Sequence, residues 1–309
     1  MRIGVLDIGS NTVHLLIVDA HHGAAPVPAS KMKIPLRLAE HLTPSGDIDD
    51  EAVQTLIDFI RRSQQLAEDK GATQVMAFAT SAIREAGNGI AVLTRIQEET
   101  GLGLDVLSGE DEARMTFLAV RRWFGWSTGR LLVMDIGGGS LELATGVDEE
   151  PDVAVSVPLG AGRLTRTHLA GDPPSNQDVR ATRKYARATI AEVVGKIRRA
   201  GDPRIAAGSS KTFKQLARLA GAAPSSDGIY VPRTLTLESL REWLPKIAAM
   251  KARERSALPG VSEGRAAQLV AGALVAEAAM ELLEIEELAI CPWALREGVI
   301  LNYMDGLDR

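Results

Sequence analysis

A single cysteine, Cys291, among 309 residues excludes an internal disulfide and any cysteine-rich zinc site. Histidine is scarce too. The five, at positions 14, 21, 22, 41 and 168, show no ligand-like spacing beyond the adjacent pair His21-His22 in a Gly/Pro-rich hairpin extension, so no histidine metal centre is expected. Aromatics make up 4% of the chain. The most apolar long stretch, 266–280, is too short to span a membrane and carries Gln268 and Glu277, and Arg2 interrupts any signal-type apolar start. These absences predict a cytoplasmic protein with no membrane partner, folded throughout, whose cysteine is a buried small hydrophobe rather than a nucleophile.

A composition of 45% hydrophobic and 24% charged residues supplies ample core for a chain longer than one core usually grows, so two domains are expected. The net charge of −5 is unevenly spread. Residues 160–265 hold 20 Lys and Arg against 9 Asp and Glu, a balance of +11, leaving 15 against 31, or −16, elsewhere. Such asymmetry points one part of the molecule at an anionic chain, although solvated helix faces explain any single arginine equally well.

Strands alternate with helices along the chain. Residues 3–7 and 13–18 predict a hairpin around Gly9-Ser10-Asn11, followed by a helix over 51–67, a strand over 75–79 and a loop over 80–84. A helix over 90–99, a strand over 104–107 and a helix over 110–124 capped by Ser108 come next. At Leu131 the pattern begins again. Val5-Leu6-Asp7-Ile8-Gly9-Ser10 and Val133-Met134-Asp135-Ile136-Gly137-Gly138 share strand, acid and glycine turn, 128 residues apart. Helices over 163–168, 176–199, 211–220, 237–250, 265–283 and 294–303 and strands over 205–207 and 288–291 complete the expected order, giving an α/β protein with mixed sheets.

A glycine turn after a buried strand leaves backbone N–H groups that can approach an anion closely, and two such turns would clamp one phosphate-bearing ligand. Either turn alone is weak evidence; duplication of the acid with the glycines has no reason in turn geometry. An aspartate at a strand end beside phosphate oxygens suits Mg²⁺. The strand period of two places Ser140 and Glu142 on one face, away from Leu141 and Leu143. Glu112, at the start of a helix, could deprotonate a water, yet Glu110 and Asp111 serve the helix dipole as well and nothing in the helix alone selects it.

Five motifs occur in order: Asp7-Ile8-Gly9-Ser10-Asn11, Ala79-Thr80-Ser81-Ala82-Ile83-Arg84, Ser108-Gly109-Glu110-Asp111-Glu112-Ala113-Arg114, Asp135-Ile136-Gly137-Gly138-Gly139-Ser140-Leu141-Glu142 and Ala294-Leu295-Arg296-Glu297-Gly298. Over essentially the whole chain they resemble the exopolyphosphatase and guanosine pentaphosphate phosphohydrolase (Ppx/GppA) family, in its short form without a C-terminal HD-type domain. The resemblance implies two actin-like domains of the ASKHA, ribonuclease H-like class, here 1–122 plus 296–309 and 123–295, with the site in the cleft between them. It makes Glu112 the catalytic carboxylate assisted by Glu142, gives Asp135 and Asp7 to Mg²⁺, and gives phosphate to Ser10, Asn11, Arg84, Gly137, Gly138, Gly139 and Ser140. A third loop, Ala207-Gly208-Ser209-Ser210-Lys211-Thr212, stands where relatives have a more glycine-rich one; Gly208, Ser209 and Lys211 are its candidate phosphate contacts.

The expected activity is Mg²⁺-dependent removal of terminal phosphate from inorganic polyphosphate by direct attack of water. Guanosine pentaphosphate or another nucleotide is the alternative substrate. A sugar-type kinase would need an acceptor pocket, and a non-catalytic polyanion binder gains nothing from two acids facing its ligand. Lys214, Arg233 and Arg265 are expected to line a path for the polyphosphate chain. Nucleic acid is not an expected partner, and a homodimer is left open.

Overall fold

The computed structural model describes residues 1–21 and 23–307, so His22 of the expected hairpin extension lies outside the described residues. The chain divides into two compact units, Met1–Glu112 with Val299–Arg309, and Ala113–Gly298. These boundaries fall within the same two helices, near residues 110–124 and 294–303, that hold the boundaries expected at 122/123 and 295/296.

In the first unit β1 (Arg2–Ile8) and β2 (Thr12–Asp19) pair antiparallel, and β3 (Pro28–Pro35) adds an antiparallel edge. After α1 (Asp50–Asp69) come β4 (Gln74–Ala79), parallel to β1, then α2 (Ser81–Arg84), α3 (Gly89–Thr100) and β5 (Asp105–Val106), giving the order β3-β2-β1-β4-β5. Sequence reasoning missed β3, where Lys31, Lys33 and flanking prolines obscure a strand. Prolines and lysines are what an exposed edge strand uses to block further pairing. It also took 80–84 for a loop, whereas 81–84 closes one helical turn. The Asp49 side chain caps α1 by accepting from Ala52 N at 2.8 Å. The stripe Val53, Leu56, Ile57 and Ile60 then shares one core with Leu6, Ile8, Val13, Leu15 and Ile17 of the hairpin.

The second unit repeats the plan. Helix α4 (Gly109–Phe124) leads to an antiparallel meander of β6 (Leu131–Ile136), β7 (Leu141–Gly146) and β8 (Val153–Val157). There follow α5 (Ala161–His168), α6 (Asn176–Arg199), β9 (Ile205–Gly208), α7 (Lys211–Leu219), β10 (Thr234–Thr236), α8 (Leu237–Ala249) and α9 (Ala252–Arg255). The single helix expected over 265–283 is two, α10 (Glu263–Ala266) and α11 (Leu269–Leu282), before β11 (Glu287–Ile290) and α12 (Leu295–Asp305). The sheet order is β10-β11-β9-β6-β7-β8, with β9 and β11 parallel to β6.

Helix α11 is buried from Leu269 to Met280, apolar on every side but for Glu277, as a helix enclosed by its neighbours must be. Glu277 accepts from Arg183 Nε of α6 at 2.7 Å, and Glu281 and Glu284 pair with Arg187 and Arg198 of the same helix. Much of the basic face of α6, which dominates the +11 segment, is therefore ion-paired inside its own unit. One sheet face, Met134, Ile136, Leu141 and Leu143, packs toward α11; the opposite face, Leu131, Val133, Ala144 and Ala207, meets Ala113, Phe117 and Val120 of α4. Gly298, closing the fifth motif, is there because a Cβ would overlap the Met115 carbonyl of α4.

Cys291 belongs to the α4-side core, and burial pushes its thiol up to about 12. An alkylating reagent at pH 8 should leave the folded protein unmodified and label it rapidly in denaturant. Native-state labelling at the rate of a free thiol would contradict this packing.

Candidate active site

In the first unit three loops leave the C-terminal ends of the parallel strands β1, β4 and β5, and they carry the first three motifs. Ser10 after β1 and Ser81 after β4 are both buried, with hydroxyls 3.1 Å apart. Asn11 is buried beside them, and its carbonyl accepts from Arg37 N. Ser108 caps α4 by accepting from Asp111 N at 3.1 Å while its hydroxyl donates to the Asp111 carboxylate at 2.6 Å. Glu110 and Asp111 are exposed, but Glu112 is 7% exposed and accepts from Arg84 Nη1 at 2.5 Å. The three acids that the helix alone could not separate are thus separated by burial and by a partner. Arg84, expected on phosphate, also donates to Leu107 O at 2.5 Å, which anchors the guanidinium beside Glu112.

The second unit builds its half in the same places. Gly9 N donates to Thr12 O at 3.2 Å, and Gly137 N to Ser140 O at 2.9 Å, so the two glycine turns share one closure. Asp135 stands directly across from Glu142, and Glu142 across from Ser156, whose hydroxyl donates to Glu142 Oε1 at 2.8 Å. The loop 137–139 is held from behind. Ala161 N and Arg163 N donate to Gly137 O and Gly138 O, both at 2.9 Å, and Arg163 Nε donates to Gly139 O at 2.8 Å. Tying down the carbonyls leaves the loop shaped by its amide side, the geometry of an anion nest.

Gly160, Arg163 and Ser156 were not foreseen. The glycine at 160 was a usable signal, since a Cβ there would collide with the backbone of Gly138 and Gly139. Gly160→Ala should destabilise the protein by about 1–3 kcal/mol and weaken inhibition by inorganic phosphate. An unchanged melting temperature and phosphate affinity would show that the loop does not depend on this packing.

The third loop departs from expectation. Gly208 lies inside β9, paired with Met134 and Ile290, and Ser209 is fully buried with its hydroxyl donating to Asp135 Oδ2 at 2.6 Å. Both are held in the sheet, and the serine fixes the aspartate. Ser210 caps α7, and Thr212 donates to Ile136 O at 2.9 Å, so this loop braces the end of β6. Lys211 is exposed at the start of α7.

The proposed chain path also changes. Arg233 spends its guanidinium on the carbonyls of Ala223, Val231, Pro224 and Gly228, organising its own loop. Lys214 Nζ donates to Pro292 O at 2.8 Å; burial pushes its ammonium below the ordinary range, with Glu297, Cys291 and Asp135 opposing. Arg265 is half-buried, its guanidinium makes no side-chain hydrogen bond or ion pair among the described residues, and it feels Asp135 electrostatically. Burial raises the Asp135 carboxyl above the usual carboxylate range, opposed by the Ser209 hydrogen bond and by Lys214 and Arg265.

Among the described residues no group of three or more His, Cys, Asp and Glu side chains gathers closely enough to hold a metal unaided. Two carboxylates facing each other, Asp135 and Glu142, nonetheless suit Mg²⁺, which takes one or two carboxylates and fills its remaining positions with water and substrate phosphate.

With this geometry described, the family is decided by similarity over the whole chain. Residues 16–306 match the Ppx/GppA phosphatase family. The chain belongs to that family. It is 55% identical over 305 residues to Exopolyphosphatase 1 of Mycobacterium tuberculosis, covering 99% of this chain and 89% of the relative, and 53% identical to that of Mycobacterium leprae, covering 99% and 90%. Among solved structures it is similar to an exopolyphosphatase from Cytophaga hutchinsonii, with TM-score 0.87 and 28% identity covering 99% and 98% of the two chains. It is also similar to the Aquifex aeolicus Ppx/GppA family member, with TM-score 0.82 and 25% identity covering 100% and 99%. The fold class is accordingly the actin-like one, two mixed sheets flanked by helices, as expected from the motifs. No helix among the described residues is long and apolar enough to cross a membrane.

Proposed function

We propose that the chain is a cytoplasmic exopolyphosphatase that releases terminal phosphate from inorganic polyphosphate by direct attack of water, with Mg²⁺ as cofactor. The observation that carries the mechanism is the buried Glu112 carboxylate bonded to Arg84 beside the Ser10 loop, in a chain so similar to the mycobacterial exopolyphosphatases. Glu112 takes a proton from water as the oxygen bonds to phosphorus and the bridging P–O bond breaks toward the remaining chain. Arg84 offers charge to the phosphoryl oxygens, and the amides of 138–140 hold them in the loop that Gly137 closes. Asp135, fixed by Ser209, with its cross-strand neighbour Glu142, fixed by Ser156, would hold Mg²⁺, which when bound supplies charge to neutralise phosphate oxygens; Asp7 holds the matching strand position in the first unit. Guanosine pentaphosphate is the alternative substrate, and phosphate release measured side by side on both substrates separates them.

Because Arg265 is coupled to Asp135 while Arg233 is committed to its loop, Arg265→Gln should lower kcat/KM by about tenfold on tripolyphosphate and long chains alike. A loss confined to long chains would restore Arg265 to a path beyond the reacting phosphate.

A further inference from the structure

The duplicated halves correspond residue for residue in sequence across the glycine turn. The spacing of 128 that relates Asp7 to Asp135 also relates Gly9 to Gly137, Thr12 to Ser140 and His14 to Glu142, with no insertion. The hydrogen-bonded registers agree: Asp7 stands across from His14 as Asp135 stands across from Glu142. Where the second unit's row continues from Glu142 to Ser156, the first unit's continues from His14 to Lys33. The strand period puts Asp7, His14 and Lys33 on one face of the first sheet, opposite the core face of Leu6, Ile8, Val13 and Leu15.

The two rows therefore have different chemistry on one scaffold. One carries two carboxylates and a hydroxyl; the other carries a carboxylate, an imidazole and an ammonium. Two acidic rows would repel a polyanion, whereas nitrogen donors beside one aspartate can receive phosphate oxygens. His14 is half-buried, as a group reached by ligand but held by protein should be, and its Nε2 is 2.9 Å from Thr12 Oγ1 on the same strand face, which sets the ring's orientation. Lys33 is exposed and has no ion-pair partner among the described residues. As an edge lysine it also discourages strand addition, a role that would not require His14 beside it.

We propose that His14 is a substrate-contacting residue of the first half-site, donating a ring N–H to a non-bridging oxygen of the phosphate chain, with Lys33 the next cation along the same row. The chemistry it recognises is condensed phosphate. The proposal rests on the hydrolytic function proposed above, and its test separates the two.

His14→Ala and His14→Gln are assayed for phosphate release from polyphosphate, with melting temperatures. In parallel, the wild-type imidazole resonances are followed as tripolyphosphate is added without metal. Only five histidines contribute, and the resonance absent from His14→Gln identifies His14. The expected results are a melting temperature close to wild type, kcat/KM lowered at least about tenfold in both variants, and a saturable shift of the His14 resonance. Lys33→Ala should raise KM several-fold at low salt and much less at high salt. Wild-type kcat/KM in His14→Gln would reduce His14 to a Thr12-bonded structural residue, and an unmoved resonance at saturating tripolyphosphate would overturn the contact. If the wild-type protein released no phosphate from polyphosphate, the proposed function would fail, while the resonance shift would still decide His14.

Discussion

Glu112→Gln should reduce phosphate release from polyphosphate by about 100-fold or more while leaving the protein folded and able to bind its substrate. The substitution is nearly isosteric. The amide oxygen still accepts from Arg84, whose second hydrogen bond, to Leu107 O, is untouched, so the arginine keeps its position. What disappears is the carboxylate proposed to take the proton from water, and loss of a general base costs about 10²–10⁴ in rate. A folded variant with near wild-type turnover would remove Glu112 from the chemistry and leave its ion pair with Arg84 as purely structural.

Asp135→Asn should raise the Mg²⁺ concentration for half-maximal activity more than tenfold and weaken metal binding measured directly, for example with Mn²⁺ as a paramagnetic probe. Asparagine is the informative choice because its carbonyl still accepts from Ser209, whereas Asp135→Ala would leave a buried hydroxyl without its acceptor at a cost of about 1–3 kcal/mol. The stability effect has a definite sign. Burial holds the Asp135 carboxyl above its ordinary range, so the folded state favours the neutral form. That preference is fully present below the unfolded-state value and is lost as pH rises through the folded one, so burying this carboxyl costs stability on the alkaline side of that range. Asp135→Asn should therefore melt higher than wild type at pH 7 without metal, with the difference shrinking toward acid. Unchanged metal titrations would place the ion elsewhere.

The duplicated Asp-Ile-Gly at the end of an apolar strand, Asp7-Ile8-Gly9 and Asp135-Ile136-Gly137, made the repeat and both glycine turns readable, because strand, acid and turn are short-range signals that local sequence carries. Helix α6 was read at both ends, as 176–199. Strand β3 was hidden by its lysines and prolines. Strand β8 was missed as well, although Val153-Ala154-Val155-Ser156-Val157 has the β-branched alternation of a strand. Partners were the least legible. That Ser209 would serve Asp135 rather than phosphate, and that Arg233 would close a loop on four carbonyls, depends on which strand lies beside which, information that residue spacing does not contain. Nor does the charge imbalance reveal pairing: its largest contributor, α6, meets Glu277 and Glu281 of α11 and Glu284 just beyond it only once both are packed.

The most direct measurement is phosphate release with Mg²⁺ from long-chain polyphosphate, tripolyphosphate and guanosine pentaphosphate, run side by side on the wild-type protein and on Glu112→Gln. Release from inorganic polyphosphate well above that from guanosine pentaphosphate, and its loss in Glu112→Gln, is the predicted result. Preferential hydrolysis of guanosine pentaphosphate, or release from polyphosphate that survives in a folded Glu112→Gln, would contradict it.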